Sequence, residues 1–427
     1  MNRIILIGNG FDLAHGLETS YKNFIDWLWK DLATNIKTLK GEYEDGIFSV
    51  KGVSCFSGGT DLENMEQNIN AKKVNITPIN SFYKILKSKI SQQNWVDIEE
   101  EYYQQIKNIL RNESLYYKSD EGGKTAIEKL NAEFEVIKQK LEDYLSDIEN
   151  KGAQKIDSMC KIFCDNFKHQ DFPNNKKILL YNTQKNSEDS YYKYNEYQLE
   201  NYCEHYTDNE RSKGCAKPLT EEDIVASSIS TDWFHETFLK NIFPANILVL
   251  NFNYTKTDAV YCNDVKTMND PNHPSFNIIR INIHGELKSK ENPIVFGYGD
   301  ELADEYKELE KLHDKEYFKN IKSIKYLNTN NYRNLLNFAD SDYFQIFTLG
   351  HSCGNSDRTL LNTLFEHKNC ISIKPFYHKK EEDGKIIDDY EEIVINISRN
   401  FENKKLLRER VVNKTFCEAL PQINKKS

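Results

Sequence analysis

The chain opens with MNRIILIGNGFDLAHGL (residues 1–17), in which a short apolar run meets a glycine turn. The apolar, mostly β-branched run Ile4 to Ile7 is typical of a strand that is buried on both faces, as in a parallel sheet. Gly8-Asn9-Gly10 permits a tight turn and close approach of a ligand to the backbone. Asp12 is then predicted to cap a helix. Strand, glycine turn and helix predict either a nucleotide site or a plain βα turn, because the stretch has neither GxGxxG nor GxxxxGK[ST].

Size, charge and cysteine content argue against several classes of protein. The 427 residues are enough for one large domain or two. The net charge of −10 argues against a general binder of nucleic acid or anionic membranes. The nine cysteines are odd in number and no secretory signal is recognised, which predicts reduced thiols in the cytoplasm. No stretch approaches the roughly 18 apolar residues of a membrane span.

The central part of the chain predicts helices. NWVDIEEEYYQQIKNIL (94–110) has an apolar stripe, and its acids are interpreted as a solvated face. The alternative is that Asp97 or Glu99 points into a cleft as a polar site group. Residues 127–148 follow a three-four repeat that predicts one long helix with an apolar seam. We expect the seam to pack within the chain, and a homodimeric coiled coil is the alternative.

Two polar stretches and a group of cysteines interrupt this pattern. Residues 41–75 are interpreted as a loop or insertion, and residues 183–218 as a long excursion from the core. A zinc site could be assembled from Cys160, Cys164, His169, Cys203 and His205. The spacing matches no finger or ribbon, and Cys160 and Cys164 fit one helical face as small apolar residues. We therefore expect no metal.

Further apolar runs from Ile247 onward predict more strands. They lie in NILVLNFNYT, IIRINIHGE, PIVFGYGDE, YFQIFTLGHSCGNSD, CISIKPFYH and, at the edge, EEIVINIS (Glu391 to Ser398). Charged helical segments at 301–320 and 403–412 separate some of them. Strands that alternate with helices predict an α/β fold with a doubly wound, mostly parallel, Rossmann-like sheet. We assign residues 1–40 and 240–427 to this core, and residues 41–239 to a mainly helical insertion with polar loops.

Most of the predicted strands stop at small polar residues. The clusters are Gly8 to Asp12, Asn251 to Thr255, His284-Gly285-Glu286, Gly297 to Asp300 and Gly350-His351-Ser352. Because ligands of open α/β sheets bind at the carboxyl ends of the strands, we expect these clusters to meet at one edge. His284 is suited to general base chemistry near neutral pH, and Asn253 to orienting a water or a ribose hydroxyl. GxSxG is absent, so His351-Ser352 is not interpreted as a nucleophilic pair.

These motifs resemble a known family. GNGFDLAHGLETSY (8–21), followed in order by NFNYT, HG and GHS with a later Asp, resembles the AbiH-like bacteriophage abortive-infection proteins. The resemblance runs over most of the chain. It implies an antiphage effector that responds to a phage-derived trigger.

The motif order also resembles, more distantly, the sirtuin-like NAD-binding fold. That resemblance matches the nucleotide turns and the catalytic histidine to Gly8, Gly10, Gly16-Leu17, Asn253, His284, Gly350, Ser352 and Asp357. Asn9, Asp12 and Thr255 depart from the pattern, and the charge of Asp12 opposes a pyrophosphate unless the side chain turns away. The four-cysteine zinc module is not seen, which argues against deacetylation and leaves NAD cleavage or nucleotide binding.

The leading hypothesis is an effector that binds NAD or a related nucleotide and hydrolyses its N-glycosidic bond. The catalytic residues would be His284 and Asn253. The nucleotide would be held by Gly8, Asn9, Gly10, Phe11, Asp12, His15, Asn251, Gly285, Gly350, His351, Ser352 and Asp357. The helical insertion would cover the site or form a homo-oligomer surface.

Two other functions stay open. The first is a non-enzymatic protein that senses a nucleotide or a phage product. The second is a metal-dependent nuclease or phosphohydrolase that uses Asp12, Asp97, Glu99 and Asp300.

Overall fold

The computed structural model describes residues 1–38, 43–51, 75–90, 98–115, 125–173, 176, 243–262, 277–299, 301, 304–382 and 384–423. The strands in chain order are β1 (Asn2–Ile7), β2 (Tyr43–Glu44), β3 (Phe48–Lys51), β4 (Asn75–Pro78), β5 (Asn246–Asn251), β6 (Asn277–Asn282), β7 (Phe344–Leu349), β8 (Cys370–Phe376), β9 (Lys379–Glu382) and β10 (Lys385–Asp388). Five of them form the central sheet, in the order β6-β5-β1-β7-β8, and every pairing in it is parallel.

The sheet order places the first strand of the chain at the centre. Counted along the chain, the strands lie in the order third, second, first, fourth, fifth, which is a doubly wound arrangement. Ile7 of β1 is paired with Asn251 and Leu349, and Asn251 is paired with Asn282. These strands therefore end at the same level, and the residues that follow them meet at one edge. The predicted α/β class with a parallel, Rossmann-like sheet is confirmed.

Helices flank the sheet on both faces. The α-helices are α1 (Asn9–Ala14), α2 (Tyr21–Thr38), α3 (Ser81–Ile90), α4 (Ile98–Leu110), α5 (Ala126–Glu149), α6 (Asp157–Phe163), α7 (Asp304–Glu310), α8 (Lys322–Lys325), α9 (Asn331–Ser341), α10 (Arg358–Phe365), α11 (Tyr390–Arg399) and α12 (Lys404–Arg410). Short 3₁₀ turns occur between several of them, among them His169–Asp171, Lys315–Phe318, Tyr326–Asn328, Asn355–Asp357 and Lys414–Phe416.

The alternation of β1 divides the core of the sheet into two layers. Ile4 and Leu6 pack with residues of α9, α10 and α11, whereas Ile5 and Ile7 pack with residues of α1 and α6. Successive side chains of a strand point to opposite faces, so an unbroken apolar run is needed when both faces are covered. This explains why all of β1 is buried.

A third apolar core lies among helices α2 to α5, which we call the helical cluster. The long seam of α5 packs against α2, α3 and α4, as expected for a seam used within the chain. Phe134 of this seam stacks on Tyr102 and on Phe296, with ring centroids 4.0 and 4.8 Å apart. Because Phe296 follows β6, this contact seats the helical cluster over the carboxyl end of the sheet.

Several predictions about local structure were wrong. Residues 391–398 belong to helix α11, because Ile393 and Ile397 recur at helical spacing and face the core while Ile395 is exposed. PIVFGYGDE forms no strand over its described residues. Gly297 there has a φ of +156°, and Tyr298 makes only an isolated bridge with Ile321.

The stretch assigned to a loop at 41–75 contains, in part, a small antiparallel sheet of β2, β3 and β4. The cap of α1 is Gly8 and not Asp12, which lies inside the helix. The opening helix also ends at Ala14, and a separate helix begins at Tyr21.

Some predictions fall on residues outside the described ranges. These are Asp97, Asp300, Cys203, His205 and the excursion at 183–218. Within the described ranges, no helix combines the length and the apolar character that crossing a membrane requires.

Candidate functional site

A cavity of about 230 Å³ lies where β1, β5, β6 and β7 end. Polar side chains from the loops after these strands form its floor, and apolar side chains of α2, α4 and α5 form much of its roof. The lining residues used below are Gly8, Asn9, Asp12, Glu99, Phe252, Asn253, Tyr254, Thr255, His284, His351, Ser352, Ser356 and Asp357. The expectation that the polar clusters meet at one edge is confirmed for the clusters after these four strands.

Backbone contact joins the loop after β1 to the loop after β7 at Gly8, Gly10 and Gly350, which we call the glycine seam. The amide of Gly10 donates to the carbonyl of Gly350 at 2.8 Å. A Cβ on Gly8 would lie 2.6 Å from the Cα of His351, and one on Gly350 would lie 2.1 Å from the amide nitrogen of Phe11. Only glycine fits these positions, so the two loops are held against each other without side chains between them.

Asn253 faces the cavity from the loop after β5. Its side-chain amide donates to the carbonyl of Gly8 at 3.0 Å, and its backbone N–H donates to Oδ1 of Asn251 at 2.8 Å. Asn251 in turn donates to the carbonyl of Thr255 at 2.9 Å. Asn251 therefore shapes the turn, and Asn253 is the amide side chain that the turn presents.

Asp12 is a buried carboxyl in the wall of the cavity. The hydroxyl of Thr255 donates to its Oδ2 at 2.5 Å. Burial raises the pKa of Asp12 to about 6, although hydrogen bonds from Thr255, Thr257 and Asn253 oppose the rise. When ionised, this carboxylate repels an anionic ligand group such as a phosphate.

Four charged or titratable side chains are linked in a row, which we call the charge cluster: Glu99, Lys322, Asp357 and His284. Lys322 donates to Oε2 of Glu99 at 2.6 Å and to Oδ1 of Asp357 at 2.8 Å, and its side chain is 0% exposed. Nε2 of His284 lies 3.0 Å from the same oxygen of Asp357. A buried ammonium is thus shared by two carboxylates, one of which contacts the imidazole.

Burial and neighbouring charges together shift the pKa values of Lys322, Asp357 and His284. Burial alone would lower the pKa of Lys322, but Asp357 and Glu99 outweigh it and hold the pKa above its ordinary value. Burial alone would raise the pKa of Asp357, but Lys322 and His284 hold it well below its usual range. Burial, followed by the charge of Lys322, lowers the pKa of His284 against the pull of Asp357. A lowered pKa favours the neutral imidazole at neutral pH.

Both ring nitrogens of His284 have partners in the protein. Nε2 faces Asp357 and the hydroxyl of Tyr326, the latter at 3.1 Å. The backbone of Phe252 also hydrogen-bonds the ring and raises its pKa, as a hydrogen-bond acceptor does. Asp357 and the backbone of Phe252 both accept hydrogen bonds, so the imidazolium can donate to both of them, whereas the neutral ring carries one proton and leaves its other nitrogen able to take up a second. Asp357 lies beside Nε2, where it stabilises the imidazolium.

His351 is a second buried imidazole at this site. Its Nδ1 accepts a hydrogen bond from the amide of Cys353 at 2.9 Å, which places the proton of the neutral ring on Nε2. Nε2 lies 3.7 Å from Oδ2 of Asp357, beyond hydrogen-bond distance. Burial lowers the pKa of His351 to about 4, with Asp357 opposing and His284 and Lys322 adding to the fall. His351 is a neutral donor near the cavity.

The structure brings together many of the predicted site residues in the cavity wall: Gly8, Asn9, Asp12, Asn253, His284, His351, Ser352 and Asp357. The other predicted residues are not part of the lining: Gly10, Phe11, His15, Asn251, Gly285 and Gly350. The ring of His15 bonds to the Phe11 carbonyl and to the hydroxyl of Tyr261, which turns it into the apolar core.

Sequence reasoning missed Lys322 and misread Glu99. Lys322 is the middle one of three lysines spaced three residues apart, and this pattern gives no sign that one of them is fully buried. The acids of α4 were interpreted as a solvated face, but the side chain of Glu99 is 13% exposed and lines the cavity. Glu99 therefore matches the alternative prediction, in which an acid of this stretch points into a cleft.

Within the described part of the chain, no group of three or more His, Cys, Asp or Glu side chains is arranged to hold a metal ion. Cys160 and Cys164 are buried beside Phe163 and Tyr261, which agrees with their interpretation as small apolar residues. Glu99, one of the carboxylates named for metal-dependent chemistry, bonds instead to the ammonium of Lys322.

Comparison with known protein families places the cavity in a wider context. The family described as Bacteriophage abortive infection AbiH matches residues 4–379. The match spans β1 to the start of β9 and so includes every residue of the cavity wall. No curated protein and no solved structure matches the chain.

Proposed function

Because the chain belongs to the bacteriophage abortive infection AbiH family, whose role is defence against phage, we propose that its cavity binds NAD or a related nucleotide and hydrolyses the N-glycosidic bond. The observation that carries the proposal is the meeting of Asn253 and His284 in one cavity wall, at the carboxyl ends of β5 and β6. Ligands of doubly wound sheets bind at this edge. Residues 41–239, which hold α3 to α5, are in this proposal an insertion that covers the site.

The polarity of the wall suggests how the nucleotide lies. The ionised Asp12 repels phosphate, and the glycine seam leaves no gap between the loops after β1 and β7. A ribose, whose hydroxyls donate hydrogen bonds, suits the neighbourhood of Asp12 and Asn253. The diphosphate would then lie towards Asn9 and Ser352, at the exposed rim.

The reaction needs a water, a base and exclusion of bulk solvent. As the bond between the ribose carbon and the nicotinamide nitrogen breaks, the electron pair leaves with nicotinamide and an oxocarbenium-like ribose forms. Asn253 would orient the water that attacks this carbon. Neutral His284 would take the proton from the water at its unprotonated ring nitrogen, and Asp357 would stabilise the resulting imidazolium.

The test compares nicotinamide release from NAD by the wild type and three variants. We expect His284→Ala and Asn253→Ala to lose about 100-fold or more of the activity, the usual range for a base or a positioning group. His313, which is exposed and not part of the cavity lining, gives the control His313→Ala, which should retain full activity. The assay is made with purified protein and repeated in phage-infected cells, where any trigger is present. Full release by His284→Ala would contradict the proposal.

A non-enzymatic nucleotide sensor is the second candidate, and one observation favours it. Both nitrogens of His284 are engaged by protein groups, and the cation of the charge cluster is sealed from solvent. Calorimetry with NAD and with ADP-ribose distinguishes the two functions. Saturable binding that Asn253→Ala weakens, without nicotinamide release in infected cells, would support the sensor.

A further inference from the structure

The charge cluster depends on a residue that comes from outside the sheet. Glu99 lies in the first turn of α4, whereas Lys322 begins α8 and Asp357 precedes α10. The other groups that face His284, namely Asp357, Lys322, His351, Tyr326 and Tyr254, all follow β5 in the chain. Glu99 is thus the charged contribution of the helical cluster to the cavity.

We propose that Glu99 is a positioning residue, which holds Lys322 against Asp357 and so fixes the carboxylate that faces His284. Glu99 uses both oxygens for this purpose. Oε2 accepts from the ammonium of Lys322 at 2.6 Å, and Oε1 accepts from the backbone N–H of Gly297 at 3.0 Å. The inference rests on the proposed function only in taking the cavity as the site.

The backbone around Lys322 shows why one carboxylate can act on the whole arrangement. The amide of Tyr298 donates to the carbonyl of Asn320 at 3.1 Å, and the amide of Lys322 donates to the carbonyl of Tyr298 at 2.8 Å. The segments around residues 298 and 321 are therefore joined side by side. Glu99 bonds to Gly297 on one segment and to Lys322 on the other, so it ties both to α4.

The packing of α4 reinforces this tie. The ring of Tyr103, one turn after Glu99, stacks on the ring of Tyr298 with centroids 4.0 Å apart and planes 6° from parallel. A displacement of α4 would therefore move Glu99 and Tyr103 together and release Lys322. The position of the helical cluster is by this route coupled to the surroundings of His284.

The charge of Glu99 also matters for the imidazole. Two carboxylates and one ammonium give the cluster one net negative charge when His284 is neutral. Removing the charge of Glu99 leaves only the Lys322–Asp357 pair beside the ring. The imidazolium is then less favoured, and protonation of His284 requires a lower pH.

The experiment compares Glu99→Gln with Glu101→Gln. Glu101 is a matched control, since it is a buried acid on the same helix that bonds to Gln105 and Lys89 outside the cavity. The readout is the ring ¹⁵N signals of His284 in full-length protein with labelled histidine, from pH 8 down to 4.5, without nucleotide. We expect Glu99→Gln to displace the Nε2 signal at pH 8 and to shift any titration down by about one pH unit, as for one lost charge at short range. Glu101→Gln should match the wild type.

A double-mutant cycle shows whether Glu99 acts through Lys322. If it does, adding Glu99→Gln to Lys322→Met should displace the His284 signals much less than Glu99→Gln displaces them in the wild type. Should Glu99→Gln fail to fold, Glu99→Asp keeps the charge, shortens the reach and should displace the same signals. Unchanged His284 signals in a folded Glu99 variant would overturn the inference. Because no nucleotide is used, this result is independent of whether NAD is hydrolysed.

Discussion

Replacing Asp12 by Asn should change how the stability of the protein depends on pH. Burial raises the pKa of Asp12 in the folded protein to about 6, from 3.8 in an unfolded chain. A raised folded pKa means that the carboxyl adds full stability below pH 3.8, which is lost as the pH rises through about 6. At 1.36 kcal/mol per pKa unit, the difference between these two pKa values lowers the free energy of unfolding by about 1 kcal/mol at pH 4.5, where mainly the unfolded chain is ionised, and by about 3 kcal/mol at pH 8.

Asp12→Asn removes this titration and keeps an oxygen that accepts from Thr255. The new amide changes the free energy of unfolding by the same amount at every pH, so this change cancels when two pH values are compared. Relative to the wild type, its free energy of unfolding should therefore rise by about 2 kcal/mol between pH 4.5 and pH 8.

Urea unfolding of both proteins at the two pH values measures this difference. Asp147, which is exposed on α5, supplies the control Asp147→Asn, and the pH dependence of that variant should match the wild type. A difference between Asp12→Asn and wild type that stays constant with pH would refute the reasoning. It would mean that Asp12 does not titrate as a buried acid.

Two further predictions concern the loop after β7. Gly350→Ala should destabilise the protein by more than about 2 kcal/mol in urea unfolding, because the φ of Gly350 is +67° and the new Cβ would meet the backbone of Phe11. The control is Gly354→Ala, which should cost less than about 1 kcal/mol because its Cβ would make only ordinary contacts. His351 should remain neutral at pH 6 in NMR spectra of histidine-labelled protein, because burial lowers its pKa to about 4. The neutral ring stabilises the folded state above pH 6.5, and this stabilisation is lost as the pH falls towards 4. Protonation of His351 at pH 6 would contradict its burial.

The central sheet could be predicted because its strands carry a strong local signal. β1, β5, β7 and β8 are apolar runs that stop at polar or glycine residues, as strands buried on both faces do. The prediction of a strand at residues 391–398 was wrong because a short apolar stretch of β-branched residues fits a strand and a helix face equally well. Only the structure shows that Ile395 is exposed, which distinguishes the helix from a strand buried on both faces.

The residues of the cavity floor could also be predicted from the sequence, since the carboxyl ends of parallel strands lie at one edge of the sheet. The charge cluster could not be predicted, because Glu99, Lys322 and Asp357 belong to distant segments without a shared motif. Which acid of α4 faces inward depends on how the helix is rotated against Phe296 and Tyr298, a matter of tertiary packing. Sequence periodicity gives the apolar stripe but not the partner of a polar residue at its border.

The place of β1 in the sheet has a consequence for synthesis on the ribosome. β1 is made before its two neighbours in the sheet, β5 and β7, which begin at Asn246 and Phe344. A nascent chain that ends before residue 246 has neither neighbour, and its Glu99 lacks Lys322, which follows 223 residues later. Contacts across such separations form late, since they require closure of long loops. The cavity therefore forms only after Asp357 has been made, so a copy of this defence protein that stops before residue 357 carries no assembled cavity.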